Sequence, residues 1–278
     1  MPPDDRGKAV LTLMPALMLQ TLFFLIPVSM IFIVSFTAKD SFFFEPKYVL
    51  DNFIRMFRVY RIDFQNTLLL AGIAGLIDVV LAYPFAYILL RKVRRFADVF
   101  RAILIIPLFG ELYIAYGLFY LTLPGGPLSY IFEALGIPPL AALYSFPMTI
   151  LGLTIYTFPF VVYNIGISLQ GIDKSLEEAA LCLGESRLGT FFRIILPLSM
   201  PGLLSGWLIS FGWNLGAFAI PVLLGGPILS SRVLSVQIWT TSLVTSDFGM
   251  GAALGVVVVL ATTAIFFAVL KLTRGVLV

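Results

Sequence analysis

The 278-residue chain has no histidine and one cysteine, Cys182. Without histidine, the Ser–His and Cys–His catalytic pairs and most zinc sites are excluded. A lone cysteine excludes a disulfide within the chain. There is no GxxxxGK(S/T) stretch, so the chain has no P-loop to cradle nucleotide phosphates. Charge is scarce: Asp, Glu, Lys and Arg make up 12% of the residues, about half the share of an ordinary soluble domain. With no clustered nucleophile and base, the usual enzyme constellations are missing and the chain is read as a non-enzyme.

What remains is apolar. Hydrophobic residues are 60% of the chain and mean hydropathy is +1.02. The apolar residues come in long continuous runs rather than short alternating segments, which favours membrane helices over a membrane barrel. The fold class expected is an all-α, polytopic membrane protein. A bilayer core of about 30 Å needs roughly 20 apolar residues per helix. Six spans are predicted, at about 10–36, 67–90, 100–121, 147–169, 200–224 and 250–270. The first apolar run is too long for a signal-peptide core and lacks a clear small-residue cleavage site, so it is read as a retained span. The segments 128–135 and 233–244 read as short interfacial pieces. No internal repeat stands out, and residues 1–278 are treated as one transmembrane domain.

Orientation follows from the loop cations. With the N-terminus inside, twelve of the 18 Lys and Arg residues fall on the inner side. These include Arg6, Lys8, Arg187, Arg193, Lys271, Arg274 and the run Arg91, Lys92, Arg94, Arg95. The outer side holds Lys39, Lys47, Arg55, Arg58, Arg61 and Arg232. Both termini, and the loop 170–199, are therefore expected in the cytoplasm.

That loop is the most polar interruption in the second half of the chain. Ser175-Leu-Glu-Glu178 fits a capping box, with the Ser175 hydroxyl and the Glu178 side chain reciprocally bonding backbone amides. Glu177 and Glu178 sit at the positive end of the helix dipole. A helix of about 176–183 is predicted. Ala179 and Ala180 keep one surface low, so another protein can approach closely. Gly184 suits the left-handed position after the helix. A second helix is predicted from about 187 to 195, broken or bent by Pro197 before the fifth span. From local physics alone, a capped amphipathic helix resting on the membrane fits equally well.

The spacing Glu178-Ala179-Ala180, three residues, Gly184, nine residues, Ile194-Ile-Leu196-Pro197 resembles the EAA motif of the permease subunits of type I, binding-protein-dependent ABC importers. Further likeness, to the spermidine/putrescine permease subgroup, lies in several stretches. These are Asn66-Thr-Leu-Leu-Leu, Ala82-Tyr-Pro-Phe-Ala-Tyr87, Ile105-Ile-Pro107, Leu196-Pro-Leu-Ser-Met-Pro-Gly202, Leu215-Gly-Ala-Phe218 and Leu223-Leu-Gly-Gly226. The stretch Pro107-Leu-Phe-Gly-Glu-Leu-Tyr-Ile-Ala-Tyr116 departs from that subgroup by having no arginine. The same subgroup resembles importers of ferric iron, phosphonates and opines.

The resemblance implies the type I permease fold in a bacterial inner membrane. It makes Ser175, Glu177, Glu178, Ala179, Ala180, Gly184, Ile194, Leu196 and Pro197 a coupling element that docks into the ATPase. The implied partners are two ATPase subunits, a second permease copy or paralogue, and an extracytoplasmic solute-binding protein. ATP and Mg belong to the ATPase partner, and this chain needs no cofactor or metal of its own. The implied cargo is a small polar solute, polyamine-like or otherwise amine-bearing, moved by alternating access.

Candidate pathway residues are those that are costly in a membrane. Asp78 and Glu111 lie within predicted spans, where a charge normally faces a cavity or a partner. Each reads as a pathway carboxylate or as a structural hydrogen-bond acceptor. Trp213, Asn214, Phe218 and Tyr116 are candidate pocket residues. Tyr83, Tyr113 and Tyr163 are further candidate aromatic walls for a cation. Helix packing and the interfacial aromatic belt are the alternatives. An ion-coupled secondary transporter using Asp78 or Glu111 is the competing function. Such folds usually show matched broken helices in two halves, and no matching halves are evident.

Overall fold

The computed structural model describes residues 13–39, 47–91, 102, 104–136, 138, 143–226 and 231–273. The basic run at 92–95, the polar stretch 1–8, Arg101 and Arg274 lie outside the described residues. Five described helices are long and apolar enough to cross a membrane. They are α1 (Leu13–Val34), α3 (Arg61–Arg91), α6 (Phe146–Gln170), α8 (Arg187–Gly216) and α10 (Phe248–Thr273). Shorter helices are α2 (Asp51–Val59), α4 (Glu111–Thr122), α5 (Pro127–Ala134), α7 (Lys174–Cys182) and α9 (Leu234–Trp239). The described residues form two compact units, one from those between 13 and 61 with 237–260, the other from those between 62 and 236 with 261–273.

In the first unit, the spanning stretch of α1 buries none of its residues. A helix apolar on all sides suits a lipid environment. After α1, Thr37 and Tyr48 pair as an antiparallel bridge. Asn52 of α2 donates to the Ser35 and Thr37 carbonyls at 3.0 and 2.9 Å, which fixes the chain's exit from α1. Asp247 caps α10 by accepting from the Met250 amide at 3.1 Å, and Arg55 pairs with it at 3.4 Å.

The second unit is built on α3, α6 and α8. Side chains of lipid and protein are equally apolar, so membrane helices gain from close approach at small residues. Gly202 and Gly206 of α8 lie against Ser168 and Val161 of α6, where an added Cβ would meet those side chains. Gly152 of α6 makes the same kind of contact with Ile220 and Leu224. Tyr83 of α3 is buried, and its hydroxyl is 2.7 Å from the Ser199 Oγ of α8.

Three span boundaries differ from expectation. Helix α3 starts at Arg61 rather than near 67, because Asp63, Asn66 and Thr67 bond the 232–234 segment. The described part of the third span is not one continuous helix. A 3₁₀ turn, Ile106–Phe109, ends at Gly110, whose φ of 131° breaks the run before α4. Helix α4 has 12 residues, about 18 Å. The fifth span starts and ends earlier than expected, at Arg187 and Gly216.

Pro197 does not break that helix. A proline clashes with the carbonyl four residues back and has no amide to donate. The turn Phe191–Ile195 widens to π geometry, with the Leu196 amide bonded to the Phe191 carbonyl, and the helix continues through Pro197. Pro27 in α1 follows a π turn, Thr21–Leu25, at the same offset. Proline at this spacing is thus absorbed by one wide turn. The two short segments read as interfacial pieces are helical: α5 covers Pro127–Ala134, and α9 continues into a π turn at Thr240–Val244.

Candidate functional site

Two places gather the predicted site residues: the loop between α6 and α8, and a cavity beside α8.

In the loop, Asp173 rather than Ser175 caps α7. Its Oδ1 accepts from the Ser175 amide at 2.9 Å. The expected Ser175/Glu178 capping box is therefore not formed. Ser175 lies inside the first turn, and Glu178 points out from the middle of the helix, exposed. Both Asp and Ser are good caps; the chain turns at Asp173 because Ile172 is anchored in the core. Glu177 stays in the first turn, at the positive end of the helix dipole, where a carboxylate is favoured.

Gly184 behaves as predicted. Its φ is +87°, the Glu185 amide bonds the Ala180 carbonyl, and the Gly184 amide bonds the Leu181 carbonyl, each at 3.0 Å. That pair of bonds is a Schellman ending. Ser186 then caps α8 through the Gly189 amide at 3.0 Å. The Ala pair splits: Ala179 is exposed, whereas Ala180 is 7% exposed and packs inward.

The low surface at Ala179 is flanked by Leu176 and Leu183, one and two turns apart on the same face. Leu183 is 89% exposed. These leucines were missed in the sequence, although an i, i+3, i+7 apolar stripe in a polar loop was the available signal. Ile194, Leu196 and Pro197 lie in and just after the π turn at the foot of α8, with Pro197 exposed.

The cavity, of about 490 Å³, is lined by Glu111, Tyr156, Gly212, Trp213, Gly216 and Phe266, with Ile209 and Ala217 completing it. Trp213 stacks on Phe160 at 5.4 Å and meets Tyr156 edge-on at 6.2 Å. Gly110 aims Glu111 across at the end of α8. There the helix stops: Ala217 has ψ 133°, and the chain resumes as a helical turn that includes Pro221–Gly225. Glu111 accepts from the Phe218 amide at 3.2 Å and the Ile220 amide at 2.7 Å. Among the described residues the lining thus combines one carboxylate with an indole and a phenol and contains no Lys or Arg. Such a set favours a cation.

The other pathway candidates are placed elsewhere. Asp78 is fully buried. Its Oδ2 accepts from the Thr157 and Ser210 hydroxyls, each at 2.6 Å, and Asn214 Nδ2 donates to those two hydroxyl oxygens at 3.2 and 3.1 Å. Donation therefore runs from Asn214 through both hydroxyls to one carboxylate oxygen, tying α3, α6 and α8. Trp213 and Asn214, adjacent in sequence, turn to different sides of α8: Trp213 is half exposed and lines the cavity, and Asn214 is buried. Phe218 contributes its backbone amide. Tyr116 is exposed and stacks with Tyr120 at 6.2 Å, while Tyr113 and Tyr163 are also exposed. Tyr156 supplies the wall, and nothing local in the sequence distinguished it from the other tyrosines.

Replacing Asp78 with Ala removes the shared acceptor of two buried hydroxyls. It is expected to cost about 2–3 kcal/mol, read as a lowered thermal unfolding midpoint in detergent. Asp78→Asn keeps an acceptor oxygen and is expected to lose less. Equal losses from the two variants would overturn the donor chain.

The family described as "Binding-protein-dependent transport system inner membrane component" matches residues 10–278. The spermidine/putrescine transport system permease protein PotB of Escherichia coli (strain K12) is 34% identical over 223 residues, covering 78% of this chain and 81% of that protein. PotB of Haemophilus influenzae is 28% identical over 251 residues, covering 86% and 85%. Among solved structures, a chain of a bacterial alginate ABC transporter in complex with an alginate pentasaccharide-bound periplasmic protein aligns with a TM-score of 0.82. It is 18% identical, over 98% of this chain and 96% of that one.

Proposed function

Because the chain belongs to the binding-protein-dependent transport system inner membrane components, the permease subunits of ABC importers, we propose that its cargo is a polyamine-like or other amine-bearing solute. The cavity carries this reading: one carboxylate, Glu111, beside Trp213 and Tyr156, with no basic residue among the described residues of its lining. An ammonium group gains from both the carboxylate and the ring faces, more so where water is excluded. Relatives named for spermidine and putrescine support the same cargo class.

The permease works with partners. A loaded extracytoplasmic binding protein docks on the outer side, and a second permease, identical or paralogous, completes the membrane part. Two ATPase subunits bind ATP and Mg, and this chain contributes no nucleotide site. ATP-driven closure of the ATPases reaches the membrane helices through Ser175–Gly184 and the foot of α8. The loop is cytoplasmic, as are both termini, on the strength of the cation distribution.

A thermal-shift screen of the cognate binding protein tests the cargo. Spermidine, putrescine or a related amine is expected to raise its melting temperature; stabilisation only by anions or sugars overturns the amine reading. Uptake should stop on ATP depletion and survive an uncoupler. The reverse pattern would indicate ion coupling instead.

A further inference from the structure

Glu111 has two demands on one carboxylate. It lines the cavity with Trp213 and Tyr156. It also uses both oxygens to hold the chain break after α8, Oε2 accepting from Phe218 and Oε1 from Ile220. Those amides are fixed neutral donors. Their bonds are charge-assisted on the carboxylate side only; an ammonium cargo brings a full charge on the donor side as well, and the carboxylate attracts it more strongly than a neutral amide.

We propose that Glu111 is a specificity-determining carboxylate that exchanges partners: without cargo it holds the Phe218 and Ile220 amides, and an ammonium group entering the cavity takes it from them. This rests on the amine reading above. Cargo without a positive charge cannot make the exchange, so Glu111 selects for amines at the permease as well as at the binding protein. The exchange also has a direction. The released backbone leads into Pro221–Gly225, which packs on α6 through Ile220 and Leu224 against Gly152. It continues to Ser231, whose hydroxyl donates to the Gly225 carbonyl at 2.6 Å. Arrival of cargo therefore loosens the stretch 217–226 that follows α8.

Amide hydrogen exchange on the intact importer, reconstituted with its ATPase and binding protein, tests this. Spermidine is the probe, delivered by the binding protein in the presence of ATP. Exchange in peptides covering 217–222 is expected to speed up at least tenfold with spermidine and to stay unchanged with a neutral sugar of similar size. In Glu111→Gln the same peptides should exchange fast without spermidine, because one of the two accepting oxygens becomes an NH2 group, a donor facing a backbone donor, and spermidine uptake should fall at least tenfold. Phe218→Pro removes one amide and leaves the carboxylate; Phe218→Ala keeps both and serves as its control. Rapid cargo-free exchange is expected at 220–222 for the proline variant and not for the alanine variant.

Unchanged exchange in the wild-type importer on adding spermidine overturns the proposal, and this measurement needs no variant to fold. If the binding protein accepts amines and the exchange is nonetheless flat, only the partner switch is wrong. If the binding protein rejects amines, the cargo reading fails and takes the switch with it.

Discussion

Gly184→Pro is expected to abolish ATP-driven uptake while the protein still reaches the membrane in normal amount. Proline holds φ near −65°, and Gly184 sits at +87°. Proline also removes the amide that bonds Leu181, and it pushes Leu183 out of the helical region. The Schellman ending of α7 then cannot form, and the direct path from α7 through Ser186 into α8 is lost. None of the membrane-spanning helices depends on those bonds, so insertion is retained.

Gly184→Ala separates shape from strain. A Cβ there meets nothing within 4 Å, so only the unfavourable φ remains, about 1–2 kcal/mol, and partial uptake is expected. Glu178→Lys tests the face itself. Glu178 is exposed on α7, so the variant should fold, insert and fail to transport. Uptake in cells expressing the complete importer, with membrane fractions quantified, reads all three. Normal uptake by Gly184→Pro or Glu178→Lys would sink the coupling role.

The second large effect is on stability. Asp63 is fully buried and is gripped in bidentate fashion by Arg232, Nε to Oδ1 at 2.8 Å and Nη2 to Oδ2 at 2.9 Å. Around it, Asn66 donates to the Arg232 carbonyl and the Leu234 amide donates to Thr67 Oγ1. Removing one partner of a buried pair strands the other charge, at about 3–5 kcal/mol. The two halves are unequal. Arg232→Met leaves a carboxylate with no route to water, whereas Asp63→Asn leaves a guanidinium whose side chain is 33% exposed and can turn outward.

Arg232→Met should therefore destabilise more than Asp63→Asn. The double variant Asp63→Leu/Arg232→Met should recover part of the loss, because an apolar pair of similar volume often replaces a buried ion pair at little cost. Thermal unfolding in mild detergent measures the ranking. Equal and small losses from both single variants would show that the pair is a surface contact in effect.

The two membrane carboxylates show how far local reading reaches. Each was legible as an anomaly, since a charge in an apolar run demands a partner. Their roles were not. Asp78 found its partners 79 and 132 residues away, in Thr157 and Ser210, and Glu111 found its own 107 and 109 residues away. Pairings at that range are set by which helices become neighbours. Tyr156 was missed for the same reason: one tyrosine on an apolar helix looks like another until α4 and α8 face it. The capping error at Ser175 was of a different kind. Asp173 and Ser175 are both competent caps, and the choice went to the residue following the last core anchor, Ile172.

The sequence alone determined the class, the helical character, most spans and the place of the loop that carries the Glu-Ala-Ala spacing. Those properties are local: a run of apolar residues must be buried in lipid, a glycine after a short helix must take the left-handed turn, and the Glu-Ala-Ala spacing lies within a single stretch of chain. Tertiary structure alone decided which carboxylate faces a cavity, where the third span breaks and how Pro197 is absorbed. It also decided that Trp213 and Asn214 serve different sites. These depend on the direction each side chain takes around its helix and on what the neighbouring helix offers there, and adjacent residues on a helix point about 100° apart.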